Sequence, residues 1–132
     1  RVVKGDPSEC TRPRMLSGNL QGQFLKMICR MIGARRVLEI GTYTGYAAIS
    51  MAAGLEEGGM LHTIDVNDEL EDFTCQYIEK SGLQERIVFH VGDACKIIPT
   101  LDEMFIWCLS MPISENIRNI IGLCLIRCGV EE

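Results

Sequence analysis

Three short segments place glycines or acidic side chains directly after apolar runs. They are residues 41–46, 65–68 and 92–95. Gly41 and Gly45 permit a tight turn and a close approach of the backbone to a ligand. Each segment also has an acid at or near its start, and a carboxylate can accept hydrogen bonds from sugar hydroxyls or pair with a cation. The pattern is typical of a site for a nucleoside cofactor.

The spacing of these residues distinguishes between two cofactors. Asp65 follows Gly45 by about 20 residues, the distance at which an acid after the second strand meets ribose hydroxyls. A dinucleotide such as NAD would satisfy this feature too. The glycines, however, are spaced Gly-x-x-x-Gly, and Glu39 lies beside the turn, where a pyrophosphate is disfavoured. S-adenosylmethionine carries an ammonium and a sulfonium group, which a neighbouring carboxylate stabilises. We therefore expect S-adenosylmethionine as the cofactor.

Each of these residues also has a structural alternative. Glu39 is expected either to meet the cofactor or to pair with Arg35 or Arg36. Asp65 and Asp93 are each either ligand contacts or caps of the helix that follows. Tyr43 and Tyr46 are expected either to cover the ligand or to pack against the protein. His62 and His90 lie within predicted strands and are expected to pack.

The elements that position these segments follow from periodicity. Apolar residues at helical spacing predict a helix over residues 18–32, with Ser17 as N-cap and Gly33 just beyond its end. Asn67 or Asp68 is expected to cap a later helix that ends at Gly82, with Asp68 and Glu71 forming a capping box. The remaining predicted elements are strands at 36–40, 60–66 and 87–91 and helices at 44–53 and 96–101.

Strands that alternate with helices predict an α/β fold with a Rossmann-like, doubly wound parallel sheet. We expect the sheet to be incomplete at its C-terminal side and residues 1–132 to form a single partial domain, with residues 1–16 as an N-terminal arm. In such sheets, ligands bind beyond the carboxyl ends of the strands, which is where the three segments lie.

Composition excludes several classes of protein. The net charge of −5 offers no overall basic surface for nucleic acid. No apolar run approaches the roughly 20 residues of a membrane span, and residues 1–11 do not resemble a secretory signal. The seven cysteines form no Cys-x-x-Cys pair, which argues against a zinc site. We therefore expect a cytoplasmic protein with reduced thiols and no membrane partner.

Four ordered motifs resemble a known family. They are residues 14–25, 38–46, 62–67 and 90–94. Together they resemble the caffeoyl-CoA and catechol type of metal-dependent O-methyltransferase, particularly its small bacterial members, over about residues 12–105.

The resemblance implies a set of cofactor contacts, with Asp65 on the ribose and Asp93 and Ala94 near the adenine. The expected contacts are Met15, Ser17, Glu39, Gly41, Thr44, Gly45, Tyr46, Ala47, Asp65, Val66, Gly92, Asp93 and Ala94. Ala47 stands where the family commonly has a serine, and the lost hydroxyl would weaken binding by about 0.5–1.5 kcal/mol.

The resemblance also implies methyl transfer to a hydroxyl of a small catechol-like or phenolic acceptor, or of a hydroxylated tRNA nucleoside. It further implies a homodimer and a divalent cation, usually Mg²⁺. The family's metal ligands lie in an Asp-Ala-Asp-Lys segment and a later Asp-Asn pair, and this chain has neither. We therefore assign no catalytic or metal residue and expect this chain to be inactive or nearly so. The alternatives are a catalytically dead binding module for S-adenosylmethionine or a partner, and an NAD-dependent oxidoreductase.

The family pattern stops after Phe105. Codons can be chosen for residues 106–114 such that one base added in front of them shifts the reading frame. The shifted frame then encodes Asp-Leu-Val-Phe-Ile-Asp-Ala-Asp-Lys, which contains the family's Asp-Ala-Asp-Lys metal segment. We therefore expect residues 106–132 to be an out-of-frame tail. The alternative is that residues 105–109 form a fourth strand, followed by a helix lined by Ile113, Ile117, Ile120, Ile121, Cys124 and Cys128.

Overall fold

The computed structural model describes residues 18–110 and confirms the predicted order of helices and strands. The arm, Met15 and Ser17 lie outside the described residues, and the prediction of Ser17 as N-cap is wrong because Gly18 occupies that position ahead of α1. The elements are α1 Asn19–Met31, β1 Arg36–Ile40, α2 Tyr46–Ala52, β2 Met60–Asp65, α3 Glu71–Ser81, β3 Ile87–Val91, α4 Ala94–Ile97, a 3₁₀ turn Ile98–Thr100, and β4 Trp107–Ser110.

The described strands form one four-stranded parallel sheet in the order β3-β2-β1-β4. The chain moves outwards from β1 to β3 and then returns to the other side of β1, so the strand order switches between β1 and β4. Glu39 on β1 lies opposite Thr63 on β2. These features confirm the α/β, Rossmann-like fold.

A separate apolar cluster covers each face of the sheet. One cluster packs α1, α2 and α3 on Val37 and Leu61, and the other packs α4 on Leu38 and Ile64. Helices α1 and α2 approach closely because the contact is lined with small residues. At Gly54, which follows α2, a Cβ atom would lie 2.4 Å from the backbone oxygen of Lys26. A side chain there is incompatible with this spacing.

The helix starts differ from the prediction. Helix α2 begins at Tyr46 and not at residue 44, because Gly45 adopts a left-handed conformation with φ of 80°. The capping box of Asp68 and Glu71 is wrong. The Glu71 amide donates to the backbone oxygen of Asp68, so these residues form a turn ahead of α3, and Leu70 occupies the N-cap. The predicted helix at 96–101 begins at Ala94 and tightens into the 3₁₀ turn, which contains a proline.

A fourth strand forms, as the alternative for residues 105–109 predicted. Strand β4 pairs with β1 in parallel, and the Ile106 amide just before it donates to the backbone oxygen of Arg36. The helix expected over residues 113–128 lies outside the described residues.

The two histidines pack, as predicted, on the face covered by α4. His62 Nδ1 and His90 Nε2 are 3.0 Å apart, and the two ring planes differ by 11°. Burial, and then the neighbouring His62, lower the pKa of His90. His62 Nε2 also lies 3.1 Å from Glu103 Oε2, which is 3.4 Å from Arg36 Nε. Within residues 18–110, no helix has the length and apolar character that crossing a membrane requires.

Candidate cofactor-binding site

Backbone hydrogen bonds join the three predicted segments at the carboxyl ends of the strands. The Gly41 amide, after β1, donates to the Ile64 carbonyl on β2 at 2.8 Å. The Gly92 amide, after β3, donates to the Asp65 carbonyl at 2.7 Å. The sheet therefore brings the glycine turn and the loops after β2 and β3 to one edge, as the sequence predicted.

The glycine turn is held in a conformation that few sequences permit. Gly41 and Gly45 have φ of 97° and 80°, and Tyr43 between them has φ of 53°. A left-handed tyrosine is uncommon and persists only where surrounding contacts impose it. Its amide donates to Asp65 Oδ2 at 2.7 Å, and its carbonyl accepts from the Thr74 hydroxyl at 3.2 Å. Contacts from β2 and α3 therefore fix the turn from both sides.

Asp65 holds two loops at once. Its Oδ2 accepts from Tyr43, and its Oδ1 accepts from the Asn67 amide at 3.0 Å. It does not cap α3, which begins six positions later at Glu71, so the capping alternative is wrong. Each carboxylate oxygen has two lone pairs, so Asp65 can still accept further hydrogen bonds from a diol.

Glu39 is fully buried and incompletely paired. Its exposed fraction is 1%, and its Oε2 accepts from the Thr63 hydroxyl at 2.6 Å. Its Oε1 has no hydrogen-bond partner among the residues the structure describes. The alternative pairing with an arginine is wrong: the Arg36 side chain lies beside Glu103, and Arg35 is exposed. Burial, and to a smaller extent the charge of Asp65, raise the pKa of Glu39 to about 8, against the opposing effect of the Thr63 hydrogen bond.

The loop after β3 contributes a cap and an open edge. Asp93 caps α4 by accepting from the Cys95 amide at 2.9 Å, so its structural alternative is confirmed. The Ala94 side chain is buried in the core. Gly92 has φ of 146°, and Val66 in the neighbouring loop is 72% exposed. An exposed apolar side chain beside Asp65 offers a surface for a flat ring, and Val66 and Gly92 stay predicted contacts of the cofactor.

The first turn of α2 mainly packs. The Tyr46 hydroxyl donates to Asn19 Oδ1 at 3.2 Å, and its ring lies so close to Gly22 that a Cβ there would be 2.7 Å from Cε1. Ala47 is buried in the core, and Thr44 is partly exposed. Tyr46 therefore packs on α1, with 37% of its surface exposed.

Sequence reasoning missed the threonines that support the acids. Thr63 lies opposite Glu39 in the sheet register, and Thr42 Oγ1 is 2.5 Å from Thr63 Oγ1. Both side chains are buried. The signal was present in the predicted strands, because pairing residues 36–40 with 60–64 in parallel places Thr63 beside Glu39.

No cluster of three His, Cys, Asp or Glu side chains suited to a metal ion occurs in residues 18–110.

Replacing Gly45 by alanine tests how strongly the turn depends on its conformation. The new Cβ would lie 2.9 Å from Thr74 Cγ2 at a φ of 80°, so we expect a loss of about 2 kcal/mol in the free energy of unfolding. Gly82→Ala is the matched control, since its φ is 72° but no atom lies within 4 Å of the added Cβ. Urea unfolding compares the two, and equal losses would show that contact with Thr74 does not matter.

The comparisons with known proteins agree with this geometry. The family model described as O-methyltransferase matches residues 6–106. Caffeoyl-CoA O-methyltransferase 1 of Zea mays is 39% identical over 84 residues, which cover 64% of this chain and 31% of that protein. This chain thus spans about a third of the length of the curated relatives that it matches.

Solved structures match a larger part of the chain. The O-methyltransferase TomG of Streptomyces achromogenes, crystallised with S-adenosylmethionine, is 29% identical with a TM-score of 0.84, and the match covers 90% of this chain and 55% of TomG. The O-methyltransferase of Bacillus cereus, crystallised with S-adenosylhomocysteine, is 25% identical with a TM-score of 0.83, and covers 95% and 63% of the two chains.

Proposed function

The chain belongs to the O-methyltransferase family, and from this premise we propose that its three loops bind S-adenosylmethionine for methyl transfer to a hydroxyl oxygen. The observation that carries the proposal is the pair of acids at the strand ends. Glu39 is buried, and one of its oxygens has no hydrogen-bond partner within residues 18–110. Asp65 fixes the turn by accepting hydrogen bonds from the Tyr43 and Asn67 amides, and its oxygens can accept further hydrogen bonds.

The two acids suit the two ends of this cofactor. A positive charge beside a buried carboxyl group favours its ionised form, and the methionine end of S-adenosylmethionine carries an ammonium and a sulfonium together with its own carboxylate. Asp65 stands where a ribose diol is bound in sheets of this topology. The relatives TomG and the Bacillus cereus enzyme were solved with S-adenosylmethionine and S-adenosylhomocysteine, which supports the same ligand here.

The residues of this chain would bind and orient the donor. Gly41 and Gly45 admit it to the turn, Glu39 meets its cationic end, Asp65 holds the ribose, and the loop at Asp93 borders the adenine. When bound, S-adenosylmethionine supplies an electrophilic methyl group, which a hydroxyl oxygen accepts with loss of its proton while sulfur keeps the carbon–sulfur electron pair. Met15 and Ser17 complete the proposed set from outside the described residues.

For the acceptor, we propose a small catechol-like or phenolic hydroxyl, on the strength of the caffeoyl-CoA relatives. A hydroxylated tRNA nucleoside is the second candidate. Metal assistance does not fit the described residues, which supply no suitable ligand cluster, so we derive no step through a metal. We expect this 132-residue chain to bind the donor but to be inactive, or nearly so, in methyl transfer. Metal-stimulated methyl transfer to a catechol by this polypeptide would contradict that expectation.

Binding of the donor is tested by thermal and chemical unfolding of the full chain. At a concentration of S-adenosylmethionine 100 times its dissociation constant, the free energy of unfolding should rise by about 2.7 kcal/mol. NAD at the same concentration is the control and should leave it unchanged. The reverse result, stabilisation by NAD alone, would favour an oxidoreductase over a methyltransferase.

We also propose that residues 106–132 are read out of frame. The family match ends at residue 106, where the expected metal motif would begin, and this agrees with the loss of one base there. Strand β4 is compatible with either frame, because both readings place apolar residues at positions 107–109, Trp-Cys-Leu in this chain and Leu-Val-Phe in the regrouped frame. DNA sequence across the Phe105 codon decides the question: a gene in which no added base restores the metal motif would refute the proposal.

A further inference from the structure

Two hydroxyl groups form a short chain that ends on the buried carboxyl group of Glu39. Thr63 Oγ1 donates to Glu39 Oε2 at 2.6 Å and lies 2.5 Å from Thr42 Oγ1. A hydroxyl has one proton to donate, so when Thr63 donates to Glu39, Thr42 must donate to Thr63. The chain thus supplies one hydrogen bond to Oε2 and leaves Oε1 unpartnered within residues 18–110.

The groups around Glu39 supply no compensating positive charge in the part of the chain that the structure describes. On β2, the charged neighbour is Asp65, which is itself an acid. On β4, the register neighbour is Leu109. The helices on this face contribute apolar side chains to the core, and Cys29 on α1, whose pKa burial raises to about 11, remains a neutral thiol. Thr74 of α3 is buried but does not titrate.

We propose that the cationic end of S-adenosylmethionine displaces a proton from Glu39 when it binds, so that occupancy of the site is coupled to pH. This inference rests on the proposed function. In the free chain the buried carboxyl keeps its proton at neutral pH, because the free-state pKa is raised to about 8. A positive charge beside Oε1 favours the carboxylate, and the proton leaves to the solvent.

The sign and size of the effect follow from linkage. Below pH 8, the free chain holds a proton that the complex has lost, so affinity should rise about tenfold for each unit of pH. Between pH 6 and pH 8, the expected gain is about 50-fold, because the slope flattens near pH 8, where half of the free chains have already lost the proton. If the ammonium is the contacting group, affinity should fall again above about pH 8, where an α-amino group loses its proton. A sulfonium contact predicts a plateau there.

Isothermal titration calorimetry of the full chain at pH 6.5, in two buffers with different ionisation enthalpies, measures the protons released. We expect about one proton for each S-adenosylmethionine bound. S-adenosylhomocysteine retains the ammonium but lacks the sulfonium. Release with both ligands supports an ammonium contact, and release with S-adenosylmethionine alone supports a sulfonium contact. The Glu39→Gln variant should bind more weakly and release no proton.

Equal affinity at pH 6 and pH 8, with no proton released, would overturn the coupling and leave the proposed function intact. Absence of binding at every pH would overturn the proposed function and the coupling together. These outcomes are distinguished in the same titrations.

Thr63 provides a second test as a positioning residue. Its hydrogen bond opposes the rise in the pKa of Glu39, so Thr63→Val should move the midpoint of the affinity profile to higher pH. Thr63→Ser keeps the hydroxyl and should restore the wild-type midpoint. A purely structural role for Thr63 would change affinity equally at all pH values, and a profile of that kind would contradict this assignment.

Discussion

Replacing Asp65 by alanine is expected to weaken the binding of S-adenosylmethionine by about 100-fold or more. Hydrogen bonds to a charged group contribute about 1.5–3 kcal/mol each, and a ribose diol can donate two. The change also removes the acceptor of the Tyr43 and Asn67 amides, so the glycine turn loses its hydrogen bond to the end of β2. Calorimetric dissociation constants at pH 8 measure the loss.

Two variants make this result specific. Asp68→Ala removes an exposed acid that serves the turn only through its backbone oxygen, and affinity should stay within about twofold of wild type, as is usual for surface changes. Asp65→Asn keeps one carbonyl oxygen as an acceptor and should lie between wild type and alanine. Wild-type affinity in Asp65→Ala would remove Asp65 from the proposed site.

Replacing Gly54 by alanine should cause the largest loss of stability, about 3 kcal/mol in the free energy of unfolding. The added Cβ would lie 2.4 Å from the Lys26 backbone oxygen and 3.0 Å from Cys29 Cβ. Backbone cannot rotate away as a side chain can, so α1 must separate from α2 and the core between them must open. Urea denaturation followed by circular dichroism measures the change.

Gly18→Ala is the matched control for Gly54→Ala. Gly18 precedes α1 with a φ of −71°, and no atom lies within 4 Å of its added Cβ. The expected cost is below about 1 kcal/mol, the loss of a glycine N-cap. Similar losses in both variants would mean that the contact of α1 with Gly54 does not limit stability.

The strands could be predicted closely from sequence because turn residues border their apolar runs. Residues 36–40 and 87–91 were predicted with the observed bounds. The first residues of the helices were predicted less accurately. Helix α3 begins at Glu71 because its preceding turn uses the backbone oxygen of Asp68, and a side-chain pattern cannot distinguish that turn from a capping box.

The candidate site was predictable in position but not in electrostatics. Glycine spacing and strand ends located Gly45 and Asp65. The state of Glu39 depends on Thr63, which approaches it only through the pairing of β1 with β2, and on the absence of a cation near Oε1 within residues 18–110. Such information is tertiary. Arg36, three positions before Glu39, was an alternative partner in the prediction, yet it extends towards Glu103.

The sheet order has a consequence for how the site assembles. The three loops follow β1, β2 and β3, which are consecutive in the chain and adjacent in the sheet. Glu39 therefore reaches Thr63 across 24 positions, and Tyr43 reaches Asp65 across 22. Contacts of moderate separation carry a modest loop-closure entropy and form early. The donor half of the site can therefore take shape during folding before β4 joins the sheet beside β1.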